Sequence, residues 1–192
     1  MKMLKTKYIT LQDFEIVEVA NHCDYTKLNI SINEALSFEL PEILCEYYEL
    51  VKDAFEAEEP TEEQTLILEG TTYSCGRVTK RYLGAKDMLV YYSYANYLMN
   101  SVMNDSGLGF VKKTDQYSLP TPYKDVKEFV NKNRNMGFAI VKQLKEYLCH
   151  VPNLTTSYGL KLDCHCGCAD GNCDFTEKRI YKFKPKVIKK QI

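Results

Sequence analysis

The chain contains 192 residues, of which 45% are hydrophobic and 27% are charged. This length and apolar content suit one packed domain with room for a trailing appendage, and they exclude a disordered polymer. No stretch reaches the roughly 18 consecutive apolar residues of a spanning helix, and the N-terminus lacks the apolar run of a secretory signal. The sequence therefore predicts a protein without membrane segments, in which reduced thiols take precedence over disulfides.

Charge is divided unevenly along the chain. The formal net charge is −1, but the segment from Lys178 to the end holds seven basic and no acidic residues. The preceding 177 residues hold 18 basic and 26 acidic residues, a net charge of −8. Ten of these acids lie between Glu39 and Glu63, where Lys52 is the one basic residue. Because nucleic-acid affinity comes largely from Lys and Arg, the acidic body is not expected to grip DNA.

The first amphipathic pattern lies in residues 37–55. Eight apolar side chains recur there at three- and four-residue spacing, with acids on the other face. They are Leu40, Ile43, Leu44, Tyr47, Leu50, Val51, Ala54 and Phe55. The pattern predicts one helix with Ser37 as its cap and Pro41 in its first turn. The segment 56–64 breaks this helix, and a loop containing Gly70 and Gly76 is expected to follow.

A second helix is predicted after Gly84. Its apolar side carries Met88, Tyr91, Tyr92, Ala95, Leu98, Met99 and Val102. Four tyrosines lie between positions 91 and 97, so a flank of this helix is aromatic as well. Two interpretations of that flank stay open. It can be a protein contact surface, since Tyr is enriched at interfaces, or it can fill the core with its hydroxyls at the edge.

A third helix is the clearest of all, and it spans residues 124–148. The Gly- and Pro-punctuated segment 104–123 before it predicts a loop or a short hairpin. The apolar face of this third helix carries Val126, Phe129, Val130, Gly137, Ile140, Val141, Leu144, Tyr147 and Leu148. Glycine in a helix interior costs about 1 kcal/mol relative to Ala, so Gly137 indicates close approach of another helix. The expected fold is mostly α, a small helical bundle over residues 1–150.

Residues 151–192 are expected to form a Cys-rich segment followed by an extended basic C-terminal arm. The Cys-rich stretch reads DCHCGCADGNC, and its candidate metal ligands are Cys164, Cys166, Cys168 and Cys173. Structural zinc takes four tetrahedral N or S ligands, and two glycines within the stretch allow the tight turns that this spacing needs. Reserve ligands are Cys149, His150 and His165. A structural metal, disulfides and unliganded thiols all stay open.

The arm alternates in character. Tyr181, Phe183, Pro185 and Val187 alternate with Lys182, Lys184 and Lys186. This is the period of an extended strand with one apolar and one charged side. A lone strand is not stable in water, and Pro185 confines this one to an edge position. The arm is therefore expected to dock on a partner through its apolar and basic residues, unless it is a solubilising disordered tail.

Catalysis finds little support in the sequence. A nucleophilic cysteine needs a base nearby, and the three histidines lie in no recognisable catalytic signature. The glycine-containing segment after Ser106 lacks the Gly-Lys-Ser/Thr ending of a phosphate loop. No enzymatic reaction is expected, and zinc is the one cofactor considered.

The middle of the chain resembles the head–tail connector, or adaptor, proteins of tailed bacteriophages, most of all those of crAss-like phages and Bacteroides prophages. The resemblance covers about residues 5–150. It is carried by Leu68–Gly70, by VYYSYANYL at 90–98, by GFVKK at 109–113 with a following Tyr-Ser, and by the closing helix that ends in Tyr-Leu. It is a pattern of positions and not a catalytic motif.

The resemblance implies a structural virion protein at the head–tail interface, made in the host bacterial cytoplasm. Such proteins form helical-bundle rings, typically of twelve copies, beneath the portal protein and above the tail or further ring proteins. DNA passes through the lumen without sequence-specific binding, and an extended arm docks on a neighbouring subunit or on the portal. The alternative is a zinc-stabilised module that binds nucleic acid or protein.

The cysteine cluster generates a direct prediction. If it holds zinc, the purified protein will contain about one metal ion per chain, and Cys166→Ser will lower that content. Elemental analysis of the two samples makes the measurement. The zinc-module alternative further requires DNA affinity that falls steeply with salt and disappears with a chelator. Metal-free protein would rule out the metal interpretation of the cluster.

Overall fold

The described part of the chain folds into six α-helices and two β-hairpins, which confirms the mostly α fold. This computed structural model describes residues 9–10, 12–17, 23–75, 77–106, 109–112, 122–151 and 158–160. The helices are α1 (Tyr25–Glu34), α2 (Leu40–Leu44), α3 (Tyr48–Glu56), α4 (Glu62–Glu69), α5 (Ala85–Val102) and α6 (Tyr123–Leu148). The strands are β1 (Thr71–Cys75), β2 (Val78–Tyr82), β3 (Met103–Ser106) and β4 (Gly109–Lys112). Over the described ranges, no helix is long and apolar enough to cross a bilayer.

The first helical segment begins much earlier than predicted. Its cap is Asp24, whose carboxylate accepts hydrogen bonds from the backbone N–H groups two and three residues on, at 3.0 and 3.1 Å. The expected cap at Ser37 is wrong, because Ser37 lies inside a π-helical segment, Ala35–Glu39. This widening directly precedes Pro41, which has no N–H to donate to the Ser37 carbonyl and whose ring would clash with it.

The predicted single helix over 37–55 is interrupted at Cys45. This residue has a φ of +51°, an unusual value for a residue with a Cβ, and a 3-10 turn, Cys45–Tyr47, separates α2 from α3. The apolar period survives the interruption. Seven of the eight predicted core residues are buried, and Ile43 is partly buried. The sequence pattern therefore identified the buried face correctly but did not predict the interruption of the helix at Cys45.

The loop expected after residue 64 is instead a helix followed by a hairpin. Thr61 and Gln64 form a capping box: the Thr61 hydroxyl accepts from the Gln64 N–H at 3.2 Å, and the Gln64 side chain accepts from the Thr61 N–H at 2.9 Å. Strands β1 and β2 then pair antiparallel from Thr71 opposite Tyr82 to Cys75 opposite Val78. Their Thr, Tyr and Val residues favour strands, which overrode the glycine punctuation.

Two glycines close the β1–β2 unit. Gly70 and Gly84 have φ values of +83° and +106°, which residues with a Cβ rarely adopt. The chain enters and leaves the hairpin at the same place, because a Cβ on Gly84 would lie 2.5 Å from the carbonyl oxygen of Leu68. The Tyr82 hydroxyl donates to the carbonyl of Ile67 at 2.8 Å and thereby ties the hairpin to α4.

Helix α5 forms the centre of the fold, with α1 and α6 packed along it. Met88, Leu89 and Val90 are consecutive and all fully buried, as expected for a helix covered on several sides. The predicted α6 face is also buried, with one exception. Phe129 was expected in the core but is 55% exposed, because it lies at the edge of the face that meets α5.

The described body extends past the predicted boundary at residue 150. Val151, Tyr158 and Leu160 pack against the core. The Tyr158 hydroxyl also donates to the Asp53 carboxylate at 3.0 Å. Strands β3 and β4 pair antiparallel, so of the two alternatives predicted between α5 and α6, a loop or a short hairpin, the described residues form the hairpin. The predicted basic arm lies outside the described residues.

Gly137→Ala will destabilise the protein. A Cβ at this position would lie 2.6 Å from the buried ring of Tyr92, as the sequence prediction of a close helix contact requires. Overpacking of this kind costs about 1–3 kcal/mol and outweighs the roughly 1 kcal/mol that Ala gains in helix propensity. Urea unfolding measures the change. The control is Asn135→Ala, at an exposed position of the same helix; equal stability of the two variants would contradict the close contact.

Candidate interaction surfaces

The predicted metal-binding cysteines and the predicted arm residues all lie outside the part of the chain that the structure describes. Cys164, Cys166, Cys168, Cys173 and His165 lie outside the described residues, and so do Tyr181, Lys182, Phe183, Lys184, Lys186 and Val187. Within the described part of the chain, no three His, Cys, Asp or Glu side chains are placed to hold a metal ion. The reserve ligand Cys149 directly follows α6 as its C-cap residue. The His150 ring lies 5.0 Å from the Tyr73 ring.

A groove of about 370 Å³ with a mixed apolar and polar lining runs between α5, α6 and the N-terminal 3-10 turn Gln12–Val17. We call it the α5–α6 groove. Its described lining residues are Ile16, Val17, Tyr91, Tyr94, Phe129, Lys132, Asn133 and Met136. Three of them, Ile16, Phe129 and Met136, are between 43% and 55% exposed although they are large and apolar. Exposed apolar surface gathered in one concavity is typical of a binding site.

The turn that forms one wall of the groove is firmly held. Phe14 is buried in the core at 1% exposure and anchors the turn beside α5. The Asp13 carboxylate accepts hydrogen bonds from the Thr10 N–H and hydroxyl at 2.5 and 3.0 Å, which fixes the start of the turn. With Phe14 inside, Ile16 is directed outward, since residues two apart on a 3-10 turn lie on different sides.

The tyrosine flank of α5 divides between the two interpretations left open by the sequence. Tyr92 is buried against α6, whereas Tyr91 and Tyr94 line the α5–α6 groove and are partly buried. The Tyr94 ring stacks on that of Tyr97 at 6.3 Å, and burial raises the pKa of Tyr91. On the opposite wall, the Asn133 amide donates to the Phe129 carbonyl at 2.8 Å. Among the described lining residues, only Lys132 carries a charge.

A second surface carries the acidic residues. Five exposed acids recur at three- and four-residue spacing from α2 through the 3-10 turn Cys45–Tyr47 to α3 and form what we call the acidic stripe: Glu42, Glu46, Glu49, Asp53 and Glu56. Phe38 lies one turn before Glu42 and is 68% exposed, the highest value among the large apolar side chains described. The solvated acidic face expected from the sequence is therefore joined at one end to an exposed aromatic ring.

A polar contact holds Phe38 in position relative to α6. The Arg134 guanidinium donates to the Glu39 carboxylate at 2.6 Å and to the Asn96 side-chain oxygen at 3.2 Å. The three residues belong to the π-helical segment, α5 and α6, so the contact links three elements. The other Glu39 carboxylate oxygen is buried and has no hydrogen-bond partner among the described atoms. Breaking the pair would therefore leave a carboxylate poorly solvated.

The two surfaces lie on opposite flanks of α6. Residues on an α-helix are about 100° apart around the axis. Arg134 and the exposed Phe138 consequently project from one flank, whereas the groove residues of α6 project from the other. The buried face that meets α5 lies between them. Sequence periodicity alone missed this arrangement, because it grouped Phe129 with the buried face.

Tyr92, which lies beside the Glu39–Arg134 pair, makes the stability of the fold depend on pH in the alkaline range. Burial, reinforced by the Glu39 carboxylate and opposed by Arg134, raises the pKa of Tyr92 to about 12, above its usual value of about 10. The folded state then holds this proton more tightly than the unfolded state does. Unfolding free energy will fall as pH rises from about 10 to 12, by at most about 1.4 kcal/mol per pH unit from this group.

Urea unfolding at pH 9, 10 and 11 tests this dependence, with Tyr92→Phe as the control. The variant lacks the ionisable hydroxyl and keeps the ring against Gly137, so its stability will fall less steeply over the same range. Identical slopes for the two proteins would contradict the assignment.

Comparison with known proteins gives a family but no activity. Residues 40–161 match a family of unknown function, DUF6712. This range covers α2 to α6 and both hairpins, and hence most of the groove and the whole acidic stripe. No curated protein and no solved structure matches the chain. Because the match spans more than half of its length, the chain belongs to the DUF6712 family.

Proposed function

We propose that this protein is a structural virion protein that forms a ring-shaped adaptor between the portal and the tail of a tailed bacteriophage. One observation carries the proposal. A body with a well-packed core leaves two unlike contact surfaces on opposite flanks of α6, the α5–α6 groove and the Phe38 end of the acidic stripe. Exposed apolar side chains gathered in one patch, as in the groove, mark sites of contact with a partner.

Unlike surfaces on opposite flanks suit a ring better than a two-fold dimer. A two-fold interface pairs a patch with itself, whereas a head-to-tail interface pairs two different patches and closes into a ring when the rotation allows it. The same subunit can then add neighbours on both sides. The resemblance of about residues 5–150 to phage adaptor proteins points to the same assembly, and the motifs that carry it, between Leu68 and Leu148, lie inside the family match.

The acidic stripe supports passage of DNA without binding. The five exposed carboxylates between Glu42 and Glu56 repel phosphates, and Lys52 offsets them only through a pair with Glu49 at 3.3 Å. A ring that turned Lys and Arg toward its lumen would instead hold the DNA through its phosphates. Passage of DNA without binding needs acidic side chains toward the lumen and no basic patches there.

The basic arm gives the ring a second means of contact. Its alternating apolar and lysine residues need an edge or a surface to pair with, and an acidic neighbour would complement its charge. In the last described stretch, the Tyr158 hydroxyl is hydrogen-bonded to Asp53 of the acidic stripe. Thirty-two further residues can span to a neighbouring subunit or to the portal, because an extended chain covers about 3.3 Å per residue.

Native mass measurement of the full chain tests the proposal. We expect a closed ring of defined copy number, alone or on addition of portal protein. Replacing Lys182, Lys184 and Lys186 with Gln will weaken assembly or portal binding at least about 10-fold, with a steep dependence on salt. The matched control removes three charges elsewhere in the arm, at Arg179, Lys189 and Lys190, and will have a smaller effect. A chain that stays monomeric at high concentration, with and without portal protein, would contradict the proposed function.

A further inference from the structure

The α5–α6 groove has a specific occupant within the same assembly. We propose that the groove of one copy receives Phe38 of the next copy, with the start of the acidic stripe lying against Lys132. This inference rests on the proposed function and names the contact by which the ring would close. It is built only from described residues and does not involve the arm.

The groove has the chemistry of an aromatic acceptor. Its walls are Ile16, Phe129 and Met136, and Tyr91 and Tyr94 contribute ring surface from α5. A volume of about 370 Å³ is sufficient for one large side chain with its immediate surroundings. Aromatic anchors that fill such pockets dominate the binding energy of protein interfaces, and methionine sulfur makes favourable contacts with aromatic rings.

Phe38 has the properties of an anchor. It is the most exposed large apolar side chain described, at 68%. The Glu39–Arg134 contact and the adjoining buried Leu36 hold the backbone on both sides of it. Docking therefore orders few additional groups, and an anchor that is already in place loses little conformational entropy on binding.

Charge distinguishes this occupant from others. Lys132 is the one charged side chain among the described lining residues, and Glu42 follows Phe38 by one turn of helix on an exposed face. If the Phe38 side chain entered the groove, the neighbouring acidic stripe would lie against Lys132. Glu128, the acid next to Phe129, already has Lys124 at 4.0 Å. The arm of the chain is basic and would bring like charge to Lys132, so we assign the groove to Phe38 and not to the arm.

Geometry makes the contact head-to-tail. Phe38 lies on the Arg134 flank of α6 and the groove on the opposite flank, so Phe38 cannot reach the groove of its own copy. Each copy therefore offers one anchor and one acceptor, and every subunit of a closed ring uses both.

Two variants that are each defective on one side provide the test. Phe38→Asp removes the anchor and keeps the groove, whereas Phe129→Asp damages the groove and keeps the anchor. Both positions are more than half exposed, so the fold tolerates the change. Val78→Asp is the matched control, because Val78 is 60% exposed on the β1–β2 hairpin, away from both surfaces. Sedimentation velocity and native mass spectrometry follow each protein alone and in mixtures.

We expect wild type and Val78→Asp to assemble alike and each single variant to lose association at least about 10-fold. A mixture of Phe38→Asp and Phe129→Asp will form a one-to-one dimer that does not grow, since only one productive contact exists between the two. Lys132→Glu will weaken assembly, whereas the same charge change at the exposed Arg77 will not.

Other outcomes overturn the inference and separate it from the proposed function. If wild type forms rings and Phe38→Asp and Phe129→Asp form them equally well, the groove has another occupant, such as the arm or a small apolar ligand, and the adaptor proposal stands. If both variants are defective and their mixture gives no dimer, the two residues do not meet. If wild type never assembles, both the inference and the proposed function fail.

Discussion

The packing of α6 against α5 is the contact on which the rest of the structure depends. Gly137 lets the two helices approach until the Tyr92 ring occupies the space of a missing side chain. That approach decides which α6 residues are buried and which remain on its two flanks. Because α1 and the N-terminal turn cover other sides of α5, the central helix is almost fully enclosed and the flanks of α6 remain available for contacts.

The available flanks differ in chemistry for local reasons. On one side, the 3-10 turn anchored by Phe14 lies beside α5 without covering Phe129, and a groove remains. On the other side, Pro41 follows a π-helical widening that carries Phe38 outward while Glu39 pairs with Arg134. The exposed Phe38 ring therefore lies within the irregular, π-helical segment of the backbone. Interruptions in regular helices often mark functional positions, and the DUF6712 match includes Pro41 but begins just after Phe38.

Periodicity predicted the buried faces of α2, α3 and most of α6, because apolar spacing reports directly on which side meets the core. On α5 it identified the buried Met88, Tyr92 and Ala95 but missed Leu89 and Val90, because a helix that is covered on several sides has no single apolar stripe. It could not predict the break at Cys45, which depends on backbone geometry, nor the exposure of Phe129, which depends on how wide a face α5 covers. Two local signals were present but overlooked: Asp24 before an amphipathic helix, and the Thr-x-x-Gln capping box at Thr61. The α5–α6 groove and the contact that holds Phe38 could not be predicted from the sequence, because each combines residues that are distant in sequence.

The claim that two unlike flanks of one subunit meet in the assembly can be tested by photo-cross-linking. A benzophenone amino acid at position 38 would be placed in isotopically light chains, which are then mixed with heavy chains before assembly and irradiation. The account predicts adducts between light and heavy chains on peptides from Gln12–Val17 or from α6 around Phe129. Adducts confined to the light chain itself, or adducts to heavy-chain peptides that are remote from the groove, would contradict it.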